Sequence, residues 1–316
     1  MSAEDAAAPL VIGVDVGGTK IAAGHRDSSG ELVPLGVLPT VPFDGDANAR
    51  SVLELVGRAD ADHAIVGLSV ATTVTAKGVL RDPRGWFGWR GEDPANRLRL
   101  AGVDAVTIAD AEAGAVGEHR RGAGVGAQDL LYVTVGTGIS HCVIRSGVPI
   151  RGAHASATFS GYMVPARCTW ADCSARIVED IASGPAIGRA WGGPDERDAR
   201  RVFAAAAEGD ARASDVIAHA TWHLGALLAD LVVTNDPDRI VIGGGLGSGA
   251  HGYRHEAVAV MRDWIHPEHL RTVPVEAAAL GSSSCWVGAI DIATDVLVSS
   301  RARRPTPTST SEGVPA

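Results

Sequence analysis

Apolar positions in this chain cluster into short runs that end at glycines, with segments of helical period between them. The run "LVIGVDV" has the continuous apolar character of a buried strand, and "IAAGHRD" follows across a glycine turn as a second strand. "ELVPLGVLPTV" reads as a third strand, "NARSVLELVGRA" as a short amphipathic helix and "HAIVGLSVA" as a further strand. "DPANRLRLAG" is helical, with Asp93 and Pro94 as start signals and Gly102 as a stop. The strand "AVTIAD" then runs into the helix "AEAGAVGEHRRG".

The second half restarts this theme. "DLLYVTVGTGISHCVI" repeats the strand, glycine turn and strand of "LVIGVDVGGTKIAAG". A long helix, "SDVIAHATWHLGALLADLVVTN", leads to the buried strand "RIVIGGG", and "SCWVGAIDIATDVLVSS" closes as a helix expected to pack back on the first half. Two copies of one unit imply a duplicated α/β architecture. The expected limits are an N-terminal domain over 9–112, a C-terminal domain over 113–280 and the returning helix over 281–300. Residues 1–8 and 301–316 are polar and expected to be disordered.

Composition narrows the class. A length of 316 residues suits two domains. The net charge of −9, with no basic block before the "RARR" of the tail, argues against nucleic acid as a partner. No uncharged apolar run reaches the ~18 residues of a spanning helix, so no membrane partner is expected. The acidic start lacks a secretion pattern, and four cysteines are too few for a disulfide framework, so a cytoplasmic location is expected.

The candidate chemistry lies in the glycine turns. "VDVGGTK" sets Asp15 at a strand end before Gly17, Gly18, Thr19 and Lys20. Glycines let backbone N–H groups approach an anion, and an Asp there can orient a hydrated Mg²⁺, although Gly-Gly is also an ordinary hairpin turn. A second turn holds Gly136, Thr137 and Gly138; the pair could clamp one polyphosphate from both sides. A third holds Gly243, Gly244 and Gly245, where a flat ring could lie on bare backbone. No Walker loop or dinucleotide fingerprint is present. Asp110, where a strand meets a helix, is either a helix N-cap or a general base for an attacking hydroxyl.

In this order, "GVDVGGTKIAAG", "VTVGTGIS", "VEDIASGPAI" and "RIVIGGGL" resemble the motifs of the ROK family, within the actin/hexokinase-like ATPases, over about residues 10 to 300. The resemblance implies duplicated actin/hexokinase-like (ribonuclease H-like) domains with an interdomain cleft, and a sugar kinase using ATP and Mg²⁺. It implies that Asp15 places Mg²⁺ through water, that Gly18, Thr19, Gly136 and Thr137 hold phosphates, that Asp110 is catalytic and that Glu179 contacts the sugar. It also implies a homodimer as one form of assembly. The family's DNA-binding branch is set aside, because the first phosphate motif stands almost at the start of the sequence.

One stretch departs from that pattern. In "GAHASATFSGYM" the family's sugar-binding Glu and His become Phe159 and Tyr162, and the Asn before the catalytic Asp becomes Ala109, while His154 is kept. A site that loses donors and acceptors for hydroxyls and gains apolar walls favours a less hydroxylated acceptor, such as an aminosugar, deoxysugar or cyclitol. An ordinary hexose or N-acetylhexosamine kinase is the alternative, and a non-catalytic ATP/sugar sensor the rival. The family's zinc ligands are also incomplete, with Tyr162 and Ala166 beside Cys168 and Cys173, so no structural zinc is expected. His219 and His223 stand four apart on a helix without a partner motif, "RGWFGWRG" reads as packing or an acceptor wall, and "EHRRGAG" as a solvated helix end.

Overall fold

The computed structural model describes residues 9–61, 63–165 and 175–302. Strand β1 (Leu10–Val16) lies at the centre of the first sheet, as its apolar run requires. β2 (Lys20–Arg26) returns antiparallel from it, and β3 (Leu32–Pro39) forms the edge. Helix α1 (Gly45–Gly57) starts three residues earlier than its apolar period suggests, because the Asp44 carboxylate accepts the Ala47 N–H at 2.8 Å. β4 (Ala64–Val70), α2 (Ala95–Leu100) and β5 (Asp104–Ala109) follow, with β4 and β5 parallel to β1. The strand order is β3-β2-β1-β4-β5. Helix α3 (Asp110–Arg121) leaves β5 directly.

The second sheet repeats these relations. β6 (Asp129–Val135) is central, β7 (Ile139–Arg145) antiparallel to it and β8 (Val148–Pro149) the edge. Among the described residues α4 (Glu179–Ala182), α5 (Gly184–Gly192), α6 (Ala199–Ala207) and α7 (Ala211–Asn235) follow. β9 (Arg239–Gly243) then enters parallel to β6 and continues into α8 (Gly244–Gly249) and α9 (His251–Trp264). β10 (Val275–Ala277) completes the order β10-β9-β6-β7-β8, and α10 (Ser284–Ala302) closes the described chain. The last helix thus runs two residues past its expected end.

The halves exchange helices. α3, which leaves the first sheet, packs on β6 and β7, whereas α10, which leaves the second, lies across β1 and β4. Gly13 and Gly67 are register partners, and a Cβ on either would strike the α10 main chain at Trp286 or Ala289. Two bare positions side by side therefore seat the helix backbone directly on the sheet. Separate cores form, one around Val14, Leu55, Leu68 and Trp89, the other around Val133, Ile187, Leu228 and Ile240.

Glu118 corrects the reading of "EHRRGAG" as solvated. Its side chain is fully buried and accepts from the Ala123, Ala279 and Leu280 N–H groups at 2.9, 3.0 and 2.9 Å and from Ser284 Oγ at 2.6 Å. A buried carboxylate is tolerated only with such saturation, and here it fixes the chain that leads into α10. Helix α7 is long and apolar enough by composition to cross a membrane, which the sequence reading did not anticipate; 61% of that window is buried inside the protein, as in a core helix.

Candidate functional site

The glycine turns of the two halves lie against each other. In the first, the Gly17 N–H closes the turn on the Lys20 carbonyl at 2.9 Å. Thr40 Oγ1 donates to the Gly17 carbonyl at 2.7 Å and Trp86 Nε1 to the Gly18 carbonyl at 2.9 Å. In the second, the Gly136 N–H donates to the Gly138 carbonyl at 2.9 Å. The carbonyls of the first turn are thus engaged, while the N–H groups of Gly18, Thr19, Thr137 and Gly138 have no protein acceptor among the described residues. The two turns nearly touch: a Cβ on Gly18 would lie 3.0 Å from Thr137 Cγ2. Unpaired amides from two facing turns can form an anion-binding concavity.

The third glycine segment is partly a helix. Gly243 ends β9, and Gly244 and Gly245 open α8 where the sequence suggested a bare turn. Gly244 has φ +82°, and a side chain there would strike the Val135 carbonyl, so only glycine fits. A Cβ on Gly136 would lie 3.4 Å from Gly245 N, which brings this segment against the second turn.

Two carboxylates stand beside the concavity. Asp15 accepts from Ser69 Oγ on the neighbouring β4 at 3.1 Å. Burial raises its pKa to about 6, with Ser69 and the Lys20 charge opposing the rise. Asp110 is the first residue of α3, and Ala109, buried at the N-cap, supplies no side-chain cap. Asp110 is therefore not the capping residue that one reading made it. Its pKa rises to about 7, first through burial, then through the Asp15 charge; the Ala111 N–H opposes this and Glu179 adds to it. The half-buried Cys285 thiol donates to the Asp110 carbonyl at 3.5 Å.

Glu179 faces the same region from the second half. Its Oε2 accepts the Ile139 N–H at 2.9 Å, just after the second turn, and its Oε1 pairs with Arg84 Nη2 at 3.1 Å. Burial raises its pKa, and the Ile139 N–H and Arg84 oppose that. Phe159 and Tyr162 stack at 4.8 Å with 22° between their planes, both half-buried. The Tyr162 phenol is held above its usual range, mainly by burial and by the Glu179 charge. His154 is exposed, and no contact brings its ring to these carboxylates.

The chain matches one family model, that of the ROK family, over residues 11–296. The chain belongs to the ROK family. It is 30% identical to a glucokinase of Streptomyces coelicolor over 313 residues, covering 90% of this chain and 97% of that protein. It is 29% identical to a kanosamine kinase of Amycolatopsis mediterranei over 300 residues, covering 90% and 96%. Among solved structures, the ROK family glucokinase of Streptomyces griseus in complex with glucose and AMPPNP superposes with a TM-score of 0.77 at 29% identity, covering 90% of this chain and 99% of that one. The duplicated two-domain architecture of the actin/hexokinase-like ATPases is thus the fold of this ROK protein.

Several of its site residues were not singled out by sequence. Ser69 carries no signal, being one polar residue inside an apolar strand. Glu112, on α3, pairs with Arg151 and so ties the start of the aromatic segment to the helix that bears Asp110. "RGWFGWRG" splits in two: Phe87 and Trp89 are buried in the first core, whereas Trp86 holds the first glycine turn and Arg84 reaches Glu179. His219 and His223 meet edge to face at 4.7 Å on α7. The zinc expectation rests on Ala166, Cys168 and Cys173, which lie outside the described residues. A cavity of about 270 Å³ between α6, α7 and α9, bordered by Phe203 and Tyr253, includes none of the site residues.

Proposed function

We propose that this ROK protein is a cytoplasmic ATP-dependent kinase that phosphorylates a hydroxyl of a modified sugar or sugar-like acceptor. The observation that carries the reading is the meeting of two amide-rich turns beside a pair of coupled carboxylates. The Gly18, Thr19, Thr137 and Gly138 amides would hold the phosphate oxygens, with Gly17, Gly136 and Lys20 shaping the turns. Gly243, Gly244 and Gly245 would border the nucleoside.

The residues also suit a hydrated cation. Asp15 keeps Oδ2 free of protein donors, and no three His, Cys, Asp or Glu side chains among the described residues gather as direct ligands. Mg²⁺ at Asp15, held through water, would neutralise charge on the phosphates. The Asp110 carboxylate accepts the proton of the attacking hydroxyl, for which a pKa near 7 is well matched. The neighbouring Asp15 charge makes Asp110 a better base.

Domains over 9–112 and 113–280, joined by the exchanged helices, would open and close the cleft. Phe159, Tyr162 and Ala109 would leave the acceptor few hydroxyl partners, which favours an aminosugar, deoxysugar or cyclitol. The kanosamine kinase relative supports an amino sugar, and the glucokinase relative supports the second reading, an ordinary hexose or N-acetylhexosamine kinase. The test is ADP release from ATP and Mg²⁺ over glucose, N-acetylmannosamine, aminosugars, deoxysugars and cyclitols. Turnover led by a modified acceptor supports the first reading. Glucose far ahead of the others supports the second, and ATP binding without turnover on any acceptor would leave a sensor.

A further inference from the structure

The free amides of the first glycine turn are aimed from behind, by two side chains that the motifs leave without a role. In a trans peptide the carbonyl and the following N–H lie in one plane and point in opposite directions. A hydrogen bond that fixes the Gly17 carbonyl therefore fixes the Gly18 N–H, and one that fixes the Gly18 carbonyl fixes the Thr19 N–H. Thr40 Oγ1 makes the first of these bonds at 2.7 Å and Trp86 Nε1 the second at 2.9 Å. Both free N–H groups are thus turned away from Thr40 and Trp86. The second turn reaches the same end with main chain: the Gly136 carbonyl accepts the Gly184 N–H at 2.8 Å, which sets the Thr137 N–H.

The two donors are themselves held. Thr40 is 8% exposed, and its own N–H donates to the Thr19 carbonyl at 3.2 Å, a second grip on the turn. Asn48 of α1, fully buried, accepts the Val41 N–H at 2.8 Å and donates to the Val41 and Phe87 carbonyls at 2.9 and 3.2 Å. One side chain therefore fixes the residue next to Thr40 and the residue next to Trp86. The Trp86 carbonyl accepts the Phe43 N–H at 2.7 Å, and their rings meet edge to face at 5.3 Å. A Gly-Gly turn has no side chain to limit its rotation, so without such bonds its amides would sample many directions. Amides fixed before an anion arrives lose little entropy on binding it.

We propose that Thr40 and Trp86 are positioning residues of the phosphate site, whose side-chain donors hold the Gly17 and Gly18 carbonyls back so that the Gly18 and Thr19 N–H groups face the phosphate oxygens. Neither side chain needs to touch the phosphates. Their loss is felt as weaker nucleotide binding rather than as a slower chemical step. This deepens the kinase reading and rests on its assignment of the two turns to phosphate.

The test uses Thr40→Val and Trp86→Phe, which keep the shape or the ring and remove the donor, beside Thr40→Ser, which keeps the hydroxyl. Calorimetry with AMPPNP and Mg²⁺ reads affinity, steady-state assays read KM and kcat, and thermal melts check the fold. Thr40→Val and Trp86→Phe should each weaken AMPPNP by about three- to tenfold, the size of one hydrogen bond, while Thr40→Ser stays within about twofold of the wild type. The KM for ATP should rise in step, with kcat and the acceptor KM little changed. Wild-type AMPPNP affinity in both donor-less variants, Thr40→Ser as weak as Thr40→Val, or an equal rise in both KM values overturns the proposal. Weakened AMPPNP with rescue by Thr40→Ser, but no turnover of any acceptor by the wild type, supports the positioning role and contradicts the kinase reading. A wild type that does not bind AMPPNP overturns both.

Discussion

The two halves of this ROK protein share one order of strands, yet their first turns carry different chemistry. Gly17 and Gly136 occupy matching places after the central strands β1 and β6. Where the first half has Asp15 before its turn and Lys20 after it, the second has Thr134 and Ile139. The first turn is therefore charged, and its Asp15 alters the proton affinity of Asp110. The second turn is neutral and is held in place by Glu179 through the Ile139 N–H. A duplicated scaffold can supply two sets of amides by symmetry, but the cation and base functions are needed once. The second copy is free to become a support.

That asymmetry can be broken at chosen points. Asp15→Asn removes the charge that distinguishes the first turn and should lower turnover by roughly 10²–10³-fold, as loss of a preorganised electrostatic group does. The matching change Thr134→Val should cost far less, and equal losses in steady-state kinetics would erase the distinction.

A second contrast sets glycines of the core against glycines of the turn. Gly67→Ala places a methyl against the Ala289 carbonyl of α10 and should destabilise by about 1–3 kcal/mol in denaturant titrations. At Gly17 the added Cβ would lie 3.3 Å from the Lys20 carbonyl, and Gly17→Ala should be the milder of the two.

The smallest effect concerns pH. In the proposed mechanism Asp110, its pKa raised to about 7, acts as a base only when ionised, so kcat/KM should fall about tenfold per unit as pH drops below that value. Stability has the opposite sign. Asp15 and Asp110 have folded-state pKa values raised to about 6 and 7, so the folded state favours their protonated forms. The stability they contribute is present below about pH 4 and is lost as pH rises through 6 and 7. Asp110→Asn should therefore gain in melting temperature over the wild type as pH is raised from 5 to 8. A difference that does not vary with pH would show that the Asp110 carboxyl is not desolvated in the folded state.

Much of this was legible in the sequence, for identifiable reasons. β1, β4, β6 and β9 are largely apolar because both sheet faces are covered, and the paired glycine turns recur at matching places. Asp110 stood out by its place at a strand-to-helix junction within the order of motifs that resembles the ROK family, with a helix N-cap as the competing reading. By contrast, α5 and α6 are only nine residues each in glycine- and alanine-rich sequence, and α9 mixes charged residues with its buried Tyr253, Ala257, Val258 and Met261. Glu118 looked like a solvated charge because its four donors come from sequence up to 166 residues away. Arg84 was hidden in the same way, since its partner Glu179 belongs to the other half of the molecule.

The most direct test of the account is Asp110→Asn compared with the wild type on the best acceptor, with ATP affinity measured alongside turnover. Loss of roughly 10²–10⁴-fold in turnover, with ATP binding retained, is the predicted result, since the amides of both turns are untouched. Turnover within a few fold of the wild type would contradict the assignment of Asp110 as the base, and with it the division of labour between the two halves.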